Sequence, residues 1–148
     1  MNEILTEDNV FLELPFSKKS ELFKYLIKSD ATRSVNNWVQ TLKDVLKRES
    51  ELSTGFVKGI AIPHGISSGV TKAAVIIGKL KHPIDWETID GQSVNLVFLI
   101  LSPKESKDQT HLKILAKIAE QLADEDVIEK IIKADSADQI INLLKEEI

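Results

Sequence analysis

Val94-Asn95-Leu96-Val97-Phe98-Leu99-Ile100-Leu101 is the longest apolar run in the chain. Only Asn95 interrupts it. It is far too short to cross a bilayer as a helix, which takes about 20 residues. Its length, its β-branched and aromatic content and the Ser102-Pro103 stop behind it read as a strand. Both alternating sets of positions are apolar. Both faces must therefore be covered, which makes this the central strand of a sheet with helices above and below.

Working outward, residues 73–80 form a second apolar strand, buried on both faces near its centre. Between the two, residues 81–91 are polar and rich in turn formers, with Pro83, Asp85, Trp86 and Asp90-Gly91. They read as a loop in which Trp86 plugs the sheet edge or the rim of a site. Residues 9–15 alternate as a first strand. Ser17 is then a candidate cap for a helix carrying Leu22, Tyr25 and Leu26 to about Lys28. Ser34 is the candidate cap of a longer helix. In it Val35, Trp38, Val39, Leu42, Val45 and Leu46 recur at helical spacing up to about Arg48. Periodicity fails over residues 49–59, a loop rich in glycine and hydroxyl residues. Beyond the charged loop 104–109 come three helices. The first has Asp108 or Thr110 as its cap and His111 in its first turn, and the others start near Asp124 and Ser136. The expected fold is α/β: one mixed sheet flanked by helices on both faces, in a single domain over residues 1–148.

Composition narrows the function. The chain of 148 residues is long enough for one real core. A net charge of −4 and the lack of a basic stripe point away from nucleic acid. There is no cysteine, hence no disulfide and no thiolate metal site. The start Met1-Asn2-Glu3 has no basic region followed by an apolar one, so no signal peptide is expected and the cytoplasm is the expected location. Phosphate-loop, dinucleotide-binding and serine-hydrolase elbow motifs are missing, as is a His-Glu-x-x-His pair. No metal and no cofactor are expected.

One stretch carries chemistry: Gly59-Ile60-Ala61-Ile62-Pro63-His64-Gly65. Ile60 and Ile62 point to one side of an extended segment and Ala61 to the other. Pro63 removes a donor and ends or edges the strand. Gly65 lets the chain turn, or lets another backbone or an anionic group come close. His64 is thus held at the rim of an apolar platform. Neutral imidazole is a competent nucleophile near neutral pH and takes a phosphoryl group at a ring nitrogen. Such transfer asks for positioning and for charge stabilisation on the oxygens. Candidate stabilisers are Arg48, Ser53, Thr54, backbone N–H groups around Gly65, and His111 at a helix N-terminus. Taken singly, each has a plainer reading. Arg48 is a cation at a helix C-terminus, where cations belong. Ser53 and Thr54 are turn residues. His82 and His111 are surface residues.

Taken in order, Arg48-Glu49, Ser53-Thr54-Gly55, the Gly59–Gly65 stretch, Asp85-Trp86, Asp90-Gly91, the 94–101 strand and His111-Leu-x-x-Leu-Ala116 resemble a known family. It is the fructose/mannitol-type (type 2) enzyme IIA domain of the bacterial phosphoenolpyruvate-dependent sugar phosphotransferase system. The likeness covers nearly the whole chain, and the Asp-Trp and Asp-Gly pairs favour the fructose-type branch. It implies that His64 is phosphorylated at Nε2 by the phosphohistidine of the carrier protein HPr. The group then passes to a cysteine of a sugar-specific enzyme IIB on a separate chain, which serves a membrane permease. It also implies that Arg48 is the active-site arginine and His111 the second active-site histidine, with Ser53, Thr54 and Gly65 in support, and that the transfer needs no metal. The alternative it leaves open is a nitrogen-related regulatory enzyme IIA, phosphorylated on the equivalent histidine and acting by binding partners.

Overall fold

A computed structural model of the chain describes residues 4–105 and 110–147. The central strand is the expected one: β5 (Val94–Pro103) pairs on both of its edges. On one side lies β4 (Ala74–Ile84), antiparallel, and beyond it β1 (Val10–Leu14), parallel to β4. On the other side β2 (Ile60–Ala61) and β3 (His64–Ser67) both run parallel to β5. The last two are one edge broken in the middle. Ile60 lies opposite Leu96 and His64 opposite Ile100, so the register is kept across Ile62-Pro63. Pro63 has no N–H to give the ladder, which accounts for the break.

Among the described residues, five α-helices cover this mixed sheet. α1 (Lys19–Lys28) and α2 (Trp38–Glu51) pack one face, where Phe23, Leu26 and Val45 join Ile76, Val97 and Leu99. α3 (Thr110–Gln121), α4 (Glu125–Lys133) and α5 (Ala137–Glu147) pack the other, where Ile118, Ile131 and Ile140 join Val75, Ile77 and Phe98. Each such apolar side chain, fully buried, contributes about 1.5–3 kcal/mol. That makes the two apolar faces of β5 the main determinant of the architecture. Lys79 of β4 donates to the carbonyls of Ile132 and Ala134, closing the C-terminal end of α4 with a cation.

Five local expectations are corrected. α1 starts after Lys18, with no side-chain cap, rather than at Ser17. α2 starts after Asn37, whose Oδ1 accepts from Gln40 N at 3.1 Å, rather than at Ser34. Ser34 is fully buried in a polar knot around Asp30, which accepts from the N–H groups of Thr32 and Ser34, from the Thr32 hydroxyl and from Asn9. Burial there pushes the Asp30 carboxyl up, but those hydrogen bonds outweigh it and hold it below the usual carboxylate range. α2 also runs on to Glu51, through residues read as loop. Finally, β4 continues to Ile84, which pairs with Val94, through a register shift past exposed Lys81, His82 and Pro83. Polar, exposed residues on a strand end carry no periodic signal. Trp86, beyond it, is 4% exposed and sits edge-on to Phe23 beneath α1, so it is core rather than a rim plug.

Candidate active site

The site grows out of the broken edge. Gly59 enters it at φ +79, a left-handed conformation that glycine tolerates, and a Cβ there would lie 2.8 Å from Asn95 Oδ1. Its carbonyl accepts from the N–H groups of Asn95 and Leu96, which fixes the start of β2. Ile60 and Ile62 then join the core on the α3–α5 side and Ala61 the core on the α1–α2 side, as the alternation predicted. Because the register is kept, His64 falls on the same side as Ile60 and Ile62. It is the first residue of β3 and half-buried.

Its Nδ1 is 3.3 Å from the carbonyl oxygen of Ile62. A carbonyl only accepts, so this contact calls for a proton on Nδ1. In the neutral ring the lone pair is then on Nε2.

Gly65 does not turn the chain. It lies in the strand, and its missing side chain serves the other possibility, a close approach. A Cβ on Gly65 would lie 2.5 Å from Val45 Cγ2. The C-terminal half of α2 is thereby seated on β3. Arg48 stands one turn beyond Val45 on that helix and donates from Nη1 to Leu52 O at 2.8 Å, at the helix end.

The loop after α2 returns to the same edge. Ile62 N donates to Thr54 O at 3.0 Å, and Gly55 bridges Ala61. Ser53 Oγ donates to Glu87 O at 2.6 Å. Thr54 donates to Glu49 twice, from its N–H at 2.7 Å and from its hydroxyl at 2.5 Å. Each hydroxyl has one proton, and both protons go to protein acceptors, so Ser53 and Thr54 brace the loop. The structure therefore gathers His64, Gly65, Ser53, Thr54 and the end of α2 bearing Arg48. His111 is the second residue of α3, and its side chain lies outside the described residues. His82 is exposed on β4.

Glu49 is quoted in the sequence reading only as part of the Arg48-Glu49 pair and is given no role there. A signal existed: the stripe Leu42, Val45, Leu46 continues to position 49, so a carboxylate stands on the buried face of α2. It is 8% exposed.

The family model for the phosphoenolpyruvate-dependent sugar phosphotransferase system, EIIA 2, matches residues 3–147. This chain belongs to that family. The enzyme IIA chain is 31% identical over 147 residues to the fructose-specific EIIABC component of Bacillus subtilis, covering 99% of itself but 23% of that protein. It therefore spans about a quarter of that composite relative. It is 33% identical to the fructose-specific EIIA component of Haloferax volcanii, over 93% of this chain and 89% of that one. Among solved structures, the nitrogen regulatory protein IIA-Ntr of Neisseria meningitidis superposes with a TM-score of 0.87 at 28% identity, covering 96% of this chain and 97% of that one.

Pro63 and Gly65 of this IIA chain are buried, whereas His64 between them is half-buried and Ile66 is exposed. Among the described residues, large apolar side chains exposed on the segments flanking the site are Leu52, Ile66 and Ile89. Leu52 directly follows α2, and Ile89 N donates to Phe56 O in the loop that follows. Among the described residues, no group of three or more His, Asp or Glu could hold a metal ion. Nor is any helix among them long and apolar enough to cross a membrane.

Proposed function

We propose that this chain is a phosphoryl carrier in which His64 Nε2 takes the phosphoryl group from the phosphohistidine of HPr and passes it to a cysteine of an enzyme IIB. The observation that carries the reading is His64 itself: an imidazole at the head of an edge strand, with Nδ1 directed at Ile62 O so that Nε2 holds the lone pair. In the accepting step the donor's N–P bond breaks as the Nε2–P bond forms, in line, and the electron pair leaves with the donor ring. The Nδ1 proton stays in place. The phosphorylated ring is then cationic, its charge is met by the Ile62 carbonyl, and it leaves readily in the onward step. Arg48 and His111 hold the phosphoryl oxygens. The single domain 1–148 works without metal or cofactor, in the cytoplasm.

Fructose uptake is the branch that the Asp85-Trp86 and Asp90-Gly91 pairs favour; relatives named for fructose align along nearly the whole chain, as do ones named for nitrogen regulation and for mannitol. A second reading, a nitrogen-related regulator, draws on the likeness to IIA-Ntr. Isotopically labelled phospho-IIA offered to a fructose-type IIB separates the two. Rapid labelling of the IIB cysteine with loss from the IIA is the expected result. Retention of label on the IIA with every sugar-specific IIB tried favours the regulator.

A further inference from the structure

The Glu49 carboxylate is nearly buried, and burying a charge is costly unless it is hydrogen-bonded and paired. Here it is both. Its two oxygens accept the N–H and the hydroxyl of Thr54, and Lys19 Nζ stands 4.0 Å from Oε2, itself lying over the Trp86 ring. No part of this arrangement touches the reacting nitrogen. It leads there in two steps. Thr54 O accepts from Ile62 N, and Ile62 O faces His64 Nδ1. Only Ile62, paired on its N–H side to Thr54 and on its carbonyl side to the imidazole, separates the anchored loop from the histidine.

We propose that Glu49 is a positioning residue for phosphoryl transfer: it clamps Thr54, and through Thr54 and Ile62 it sets the orientation and tautomer of the His64 ring. The proposal rests on the phosphocarrier reading and adds to it the element that keeps Nε2 as the nucleophile. A clamp at this distance acts on the rate of transfer and not on donor docking, since Glu49 is hidden from any partner. It also predicts which replacement is tolerated. Glutamine keeps both bonds, with its carbonyl oxygen accepting the Thr54 N–H and its amide donating to the hydroxyl oxygen. Alanine keeps neither.

The test compares wild type, Glu49→Gln, Glu49→Ala and Thr54→Val in single-turnover transfer from phospho-HPr, with the dissociation constant of HPr measured separately. ¹⁵N spectra of the His64 ring report the tautomer. The expected result for Glu49→Ala is a transfer rate at saturating donor at least about tenfold slower, since small misplacements of a reacting group are that costly. Its HPr dissociation constant stays near the wild-type value, and its ring spectrum shows mixed tautomers. Glu49→Gln recovers most of the rate and the wild-type tautomer. A folded Glu49→Ala with the wild-type rate and tautomer overturns the proposal. Should Glu49→Ala not fold, Thr54→Val decides, because it removes one bond only: a slower transfer supports the clamp and an unchanged one overturns it. If wild type accepts no phosphate, the carrier reading fails on its own, and the ring tautomer of the variants still decides the role of Glu49.

Discussion

Two neighbouring side chains at the end of α2 point in different directions. Arg48 faces outward, and its guanidinium gives one N–H to Leu52 O. A guanidinium carries five N–H donors in a planar fork, so this bond is compatible with a second role toward phosphoryl oxygens. Glu49, the next residue, turns inward to the loop. The helix thus presents a cation to the outside and an anion to the scaffold within one step of sequence. Arg48→Ala is expected to slow transfer to His64 by about 10²–10³-fold, the range seen when one donor to a developing charge is removed. Arg48→Lys keeps the charge but loses the fork and should recover only part of the rate. Quench-flow with phospho-HPr measures both, and an unchanged rate in Arg48→Ala would remove this residue from the site.

At the scale of elements, the site depends on how tightly α2 sits on β3. Gly65 and Val45 are in a contact that leaves no room for a methyl group. Gly65→Ala should therefore cost about 1–3 kcal/mol, the usual range for overpacking. It should also shift the helix end bearing Arg48, so that transfer slows together with a lower urea midpoint. A stable, fully active Gly65→Ala would mean that the contact is loose. The same pair shows what the sequence conveyed and what it did not. Ile60, Ala61 and Ile62 alternate visibly, and their faces were assigned correctly from that pattern alone. The reason for Gly65 was open between a turn and a close approach, because a glycine gives no pattern to read. Only the partner, 20 residues earlier in Val45, decides it. Likewise Ser34 looked like a helix cap because Ser, Asp and Asn share that preference locally. Its long-range partners in the Asp30 knot, and the competing Asn37, are tertiary facts.

At the scale of the molecule, the two apolar faces of β5 made the layered architecture legible, and with it the placement of helices above and below. Exposed strand ends such as residues 81–83 were not legible, since they bury nothing. The candidate site was legible in a different way: its members lie on separate stretches of chain, and it was their order that drew them together. The structure supplies the physical links, α2 on β3 through Gly65 and the 53–55 loop on β2 through Thr54 and Gly55. Around them, Leu52, Ile66 and Ile89 are exposed apolar side chains flanking the site, of the kind that bind protein partners.

The central claim is that His64 carries the phosphoryl group, and intact mass tests it most directly. Wild type and His64→Ala are incubated with phosphoenolpyruvate, enzyme I and HPr. The account predicts one phosphate adduct on wild type, labile in acid and stable in alkali, and none on a folded His64→Ala. An equal adduct on His64→Ala, or none on wild type with the donor proteins shown to be active, would contradict it.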